Sequence, residues 1–297
     1  MDRKTVDSLT LLERDVKRSA GDRAIVAATY FSMFTDDVEG ATDMVSNCRF
    51  DSPNISCVKG WLEVMKSAGE KSAIDNAQTY FEEALSQDEC YLEAFFGLAR
   101  VGEIAKKSTL TQNSVNEILL NHPSYVPGLL DKCRMCLSLQ DFTQLYEVVN
   151  ETLREERNNL IAYKYWAVYA MVSEGAHDVT LEKYERLSEL ITQNEPSNVN
   201  FMLGTAKIMS RICGRSNTII NISIKMLEKC RSIASADVEI LTELAYNYLM
   251  INEIDKAYAL YKDAAGIDFS RSEPTIGMIR TLISKGDLDE AESQLMF

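Results

Sequence analysis

Few residues in this 297-residue chain have the types and spacing that covalent or metal chemistry requires. Cys133-Arg134-Met135-Cys136 is a CxxC pair, the arrangement of a redox dithiol or of half a zinc site. It falls inside a helical pattern, with no second pair and no nearby histidine to complete four ligands. The two thiols therefore read as small packing groups. The only histidines are His122, beside Pro123, and His177, in a polar turn. Neither has a nucleophile or an acid next to it in sequence that would build a triad. The chain contains no P-loop, no GxGxxG and no HExxH. The expectation is a protein that is not an enzyme, with no catalytic residues, no metal, no cofactor and no small-molecule substrate. A helical-repeat transferase subunit, the nearest enzymatic alternative, would need an acid/base or ligand constellation that the sequence does not display.

One pattern of charge stands above this background. The ninth residue of successive first helices, in the hairpin register set out below, is Lys66, Arg100, Arg134, Val168, Lys207, Tyr246 and Arg280. Five of these seven are basic in a chain whose formal net charge is −14. First helices of a hairpin array line its concave groove, so the pattern predicts a basic ladder that pairs with acidic residues of an extended or helical partner. Phe96 and Lys164 stand at the neighbouring groove position. The competing reading is that long basic side chains snorkel from a helix flank, their stems covering apolar surface. Acidic runs such as Glu151 to Glu156 read as solvated helix faces.

The elements that would position these residues follow from a repeat. Trp61, Phe95, Leu129 and Tyr163 recur at one fixed spacing. That spacing is the period of tetratricopeptide arrays, in which each helical hairpin buries its apolar face only against its neighbours. Hairpins are predicted to begin near Val58, Leu92, Val126 and Leu160, then at two wider and equal intervals at Val199 and Val238. Pro123 and Pro196 stand where second helices end, because proline offers no N–H to a continuing turn. Ala77, Phe81 and Ala84 share one helix face, and the same size pattern returns far along the chain in Ala257, Tyr261 and Ala264. Longer second helices or longer turns, including Ser173 to Asp178 and Cys213 to Asn217, would account for the wider intervals and could offer contact points. The predicted fold is all-α, an α-solenoid of tetratricopeptide-like hairpins with about seven to eight repeats. Residues 1–21 read as a leading helix or linker, and 22–297 as a single array cut off inside its last repeat, as in an excerpt of a longer array or a truncated product.

Composition agrees with a folded helical protein: 46% hydrophobic residues, 5 prolines and 13 glycines. The acidic balance works against nucleic-acid or anionic-membrane binding, both of which need clustered Lys and Arg. No run reaches the ~18 apolar residues of a membrane span, and Met1-Asp2-Arg3-Lys4 leads into no apolar signal region. The seven cysteines fall mostly at core spacing, and three Asn-X-Ser/Thr sequons occur, two of them inside predicted helices. These features predict a cytoplasmic protein without direct membrane insertion.

Several blocks also carry a family resemblance. Lys59-Gly60-Trp61-Leu62, Tyr80-Phe81-Glu82-Glu83-Ala84, Leu139-Gln140-Asp141, Ser210-Arg211-Ile212-Cys213-Gly214-Arg215-Ser216 and Thr242-Glu243-Leu244-Ala245-Tyr246 resemble, in order, segments of the tetratricopeptide repeat protein 21 family. That family supplies the long repeat subunit of intraflagellar transport complex A. The off-consensus block at Arg211 and the two stretched repeats are its most specific marks, and the likeness runs from about residue 24 to the end. The resemblance implies a non-enzymatic scaffold acting in retrograde ciliary transport with dynein, located in the cytoplasm, the cilium and the ciliary base. Its implied partners are other subunits of the complex. The chain lacks further repeats that the family carries, and the family has no catalytic residues to transfer. The alternative is a free-standing tetratricopeptide adaptor or cochaperone that binds an acidic peptide in its concave groove. Such clamps place Asn where this chain has Arg or Lys.

Overall fold

The computed structural model describes residues 35–46, 52–67, 70–175 and 178–295, together with positions 26, 27, 29, 30, 32 and 33. The predicted leading segment, 1–21, lies outside the described residues. The fold is an all-α solenoid of hairpins, with no strand among the described residues. A helix α1 (Val38–Ser46) precedes seven hairpins. They are α2 (Pro53–Lys66) with α3 (Lys71–Gln87), α4 (Leu92–Ile104) with α5 (Ser108–Asn121), and α6 (Val126–Ser138) with α7 (Phe142–Glu155). Then follow α8 (Leu160–Glu174) with α9 (Asp178–Asn194), α10 (Val199–Ile212) with α11 (Asn217–Ile233), α12 (Val238–Met250) with α13 (Ile254–Ile267), and α14 (Ser272–Lys285) with α15 (Leu288–Leu295).

The chain clusters into two compact units, one ending at Met135 and the other beginning at Cys136. In the first, Phe81 is fully buried on α3 between Ala77 and Ala84, within a core that includes Cys57, Ala94, Leu98 and Val101. Its ring lies so close to α4 that a Cβ on Gly97 would come within 2.2 Å of it, and one on Gly60 within 2.8 Å. The second unit repeats the device, with Tyr261 on α13 seated against Gly277 of α14, where a Cβ would come within 2.3 Å of the ring. An aromatic side chain on one hairpin thus fills a notch that only glycine leaves on the next. The second unit's core runs without interruption from Leu160 to Met278.

Two helix lengths explain the two repeat intervals. In the hairpins that open at Pro53, Leu160 and Val199, the second helix is 17 residues long, and the next hairpin starts late. In those that open at Leu92, Val126 and Val238, the second helix is 14 residues long, and the next hairpin starts early. The extra length lies mainly in helix, and at the predicted insertions, Ser173 to Asp178 and Cys213 to Asn217, only residues 175–177 separate α8 from α9 and 213–216 separate α10 from α11. The first hairpin also begins ahead of Val58, because Ser52 caps α2 by accepting from the Ile55 N–H and Pro53 takes its first position.

Helix starts and stops follow local chemistry. Asn159, Asn198 and Asp237, equally spaced along the chain, cap α8, α10 and α12 through their side-chain oxygens. Lys106, Gln140, Asn252 and Gly286 end first helices in the left-handed region, at φ 56, 59, 66 and 88°. In each case the next N–H reaches back to a carbonyl of the last turn, as Lys107 does to Gly102 at 2.7 Å and Asp141 to Cys136 at 2.9 Å. All three sequon asparagines, Asn54, Asn150 and Asn221, stand in helices.

Candidate functional site

Three of the eight predicted groove residues, Lys207, Tyr246 and Arg280, converge on one cleft of about 690 Å³ in the second unit. α10 contributes Lys207 and, one turn on, Arg211. α12 contributes Glu239, Thr242, Glu243 and Tyr246, α13 contributes Tyr261, and α14 with its preceding residue contributes Arg271 to Arg280. The caps Asn198 and Asp237 set where α10 and α12 begin, and so which residues reach the cleft.

The α10–α12 wall is closed by two ion pairs with the same offset in sequence. Lys207 Nζ lies 2.7 Å from Glu239 Oε1. Arg211 donates from Nη1 to Glu243 Oε1 and from Nη2 to Glu243 Oε2, both at 2.7 Å. Glu243 is only 4% exposed. Its carboxylate also accepts from Ser210 Oγ at 3.0 Å and from Asn247 Nδ2 at 3.3 Å, so the buried charge is fully engaged. The guanidinium of Arg211 stacks on the Tyr246 ring at 3.7 Å, which fixes both side chains. Tyr261 forms the floor, and burial pushes its phenol up to about 12. On the α14 wall, Arg271 Nε is 3.7 Å from Asp268 Oδ2. Arg280 is exposed and makes no ion pair with any described residue.

The remaining predicted residues lie elsewhere. Lys66 ends α2, 3.7 Å from Glu63, beside a shallow depression with Lys59 and Tyr80. Phe96 packs edge-on against Tyr125 with centroids 5.8 Å apart. Arg100 and Arg134 share Glu103, at 3.0 and 2.5 Å, and Arg134 also reaches Asp131 at 2.8 Å. Burial, the main influence, holds the Asp131 carboxyl above the usual range despite Arg134. Lys164 sits 5.4 Å over the Phe201 ring, and burial pulls its ammonium below the usual lysine range. Val168, the apolar member of the series, is core. The ladder is thus matched by carboxylates of the same chain at Lys66, Arg100, Arg134 and Lys207, and Arg280 is the rung without one among the described residues.

Arg211 and Arg271 were not among the predicted site residues. Arg211 stands one helical turn beyond Lys207 and lies in the off-consensus block, so a helical-wheel step along that face would have found it. Cys133 and Cys136 are both fully buried on α6, and the Cys136 thiol lies 3.3 Å from Gln144 Oε1. Among the described residues, no three His, Cys, Asp or Glu side chains gather as a ligand set. His122 caps the end of α5, and His177 lies outside the described residues.

Two family profiles match the sequence. Residues 1–146 match the tetratricopeptide repeat protein 21 N-terminal ARM repeat, and residues 182–297 match the second ARM domain of the same family. The chain belongs to the tetratricopeptide repeat protein 21 family. Among curated members, tetratricopeptide repeat protein 21B of Mus musculus is 28% identical over 299 residues and that of Homo sapiens 27%. Each alignment takes in the whole chain but only 22% of the relative, so the chain spans about a fifth of their length. Solved structures show the same fold. The chain is similar to yeast Tom70 at a TM-score of 0.58 and 14% identity, covering 98% of this chain and 59% of that one. It is also similar to the APC/C hetero-tetramer Cut9-Hcn1 at 0.64 and 11%, covering 93% and 52%. No described helix is long and apolar enough to cross a membrane.

Proposed function

We propose that the chain is a protein-interaction scaffold with no catalytic role, a segment of an intraflagellar transport complex A subunit acting in retrograde ciliary transport. The observation that carries this reading is the alignment of the whole chain with tetratricopeptide repeat protein 21B, on a fold of stacked hairpins. The partners are other protein subunits, met in the cytoplasm, at the ciliary base and in the cilium, without nucleic acid or membrane insertion. Of the predicted contact residues, Lys66, Phe96, Arg100, Arg134 and Lys164 play the smaller part, because they lie outside the cleft that gathers the other three. Lys207, Tyr246 and Arg280 face the main partner-binding cleft.

Co-precipitation from ciliated cells tests the assignment. Tagged residues 1–297 are expected to recover complex A subunits well above an unrelated hairpin array of equal size. Equal recovery by the two arrays would overturn the assignment.

A further inference from the structure

We infer that the cleft bounded by α10, α12 and α14 docks an acidic peptide segment of a partner protein. Arg280 receives a carboxylate, and an adjacent bulky apolar side chain lies against Tyr246 and Ile276. This rests on the scaffold reading and specifies the chemistry of what that scaffold holds.

Charge supplies the first argument. The lining contains Lys207, Arg211, Arg271 and Arg280 against Glu239, Glu243 and Glu273, a formal excess of one positive charge (4 − 3) in a chain of net −14. That excess is not evenly spread. Lys207 and Arg211 are neutralised at 2.7 Å by Glu239 and Glu243, so the α10–α12 wall is electrically quiet. The α14 wall holds Arg280, which has no counter-ion among the described residues, and Arg271, only loosely tied to Asp268. The first turn of α14 opens on the same wall through Glu273 and Pro274, and Arg271 at its N-cap gives it no side-chain cap. The Ser272 and Glu273 N–H groups of that turn add positive character, Pro274 having no N–H, and the Glu273 carboxylate offsets part of it. The site that lacks a negative partner is therefore local, and it lies at Arg280.

Shape and order supply the second. Ile276 is 46% exposed on the same wall, and the Tyr246 ring faces the cleft from the other, so an apolar surface lines the same cleft as Arg280. Tyr246 is held by Arg211, which is held by Glu243, and Tyr261 is wedged against Gly277. These walls are ordered before any ligand arrives, which removes part of the entropy that binding would otherwise cost. A volume near 690 Å³ suits a few side chains of an extended segment, not a folded domain.

The test is fluorescence polarisation with residues 1–297 and a library of labelled octapeptides. Each member carries two Asp or Glu residues next to Leu, Phe or Tyr, and is paired with a Lys-substituted counterpart. Acidic members are expected to bind and their counterparts not. Arg280→Glu is expected to weaken binding about tenfold or more, while Arg157→Glu, an equal charge change in an exposed turn outside the cleft, leaves it within about twofold. Absence of any preference for acidic members, or equal losses in the two variants, would overturn the proposal. Complex A recovery is measured in parallel with the parent chain. Recovery without peptide binding refutes the docking site and leaves the scaffold assignment standing. Peptide binding without recovery supports the docking site and counts against complex A.

Discussion

Gly97→Ala isolates the notch that interlocks the first hairpins. In an open helix this change adds about 1 kcal/mol of stability, because alanine loses less backbone freedom than glycine. Here the new Cβ would stand 2.2, 2.3 and 2.4 Å from three atoms of the Phe81 ring. The ring has no retreat, since it is fully buried, abuts Gly60 on α2, and meets the Trp61 ring edge-on with centroids 5.3 Å apart. Overpacking of this kind costs about 1–3 kcal/mol, and the lack of any escape route places it at the upper end, for a net loss of about 1–2 kcal/mol. Amide hydrogen exchange over α3 and α4 is the suitable assay, because arrays open in pieces and a single global midpoint would blur the effect. In a Phe81→Val background, where the clashing ring atoms are gone, the same glycine change should become stabilising by about 0.5–1 kcal/mol. Increased protection in the parent background, or the same sign in both backgrounds, would refute the notch argument.

Three further perturbations probe other features. Arg211→Met strips the counter-ion from the buried Glu243 and should cost about 3 kcal/mol in urea unfolding of the second unit, with most of it regained on adding Glu243→Gln. At Gln140, whose φ is 59°, thermal melting should rank glycine at or above glutamine and valine below both, with valine down by about 1–2 kcal/mol. Burial raises the Glu93 carboxyl above its ordinary value near 4.5, so the folded chain holds that proton more tightly than the unfolded chain and loses stability as pH climbs through the raised value. Glu93→Gln should therefore match the parent near pH 4 and exceed it by pH 7 in denaturant titrations; a flat difference would count against burial as the cause.

Much of the architecture was legible because it is periodic. Trp61, Phe95, Leu129 and Tyr163 mark the register by themselves, and proline placement at Pro123 and Pro196 marked two helix ends. The start of α2 was misplaced although Ser52-Pro53 is a cap followed by a first-position proline, a local signal that counting by the repeat period overrode. The wider intervals were visible, but whether turn or helix absorbs the extra residues depends on packing that no local propensity encodes. The cleft was half legible. Counting along first helices found Lys207, Tyr246 and Arg280, yet gave no sign that Lys207 is neutralised by Glu239 from the next hairpin. A stripe reads charge type; only the folded neighbours reveal which charges are already answered.

Glu103 holds Arg100 and Arg134 at once, one carboxylate standing between two helices. For a lineage of such arrays that makes position 103 an unusually cheap lever. A single-letter change from Glu to Gln leaves the shape of the side chain intact while removing the carboxylate paired with Arg100 and leaving Arg134 with Asp131 alone. A face that was silent toward acidic proteins would become attractive to them in one step, without rebuilding any hairpin, and the reverse step would mute it again.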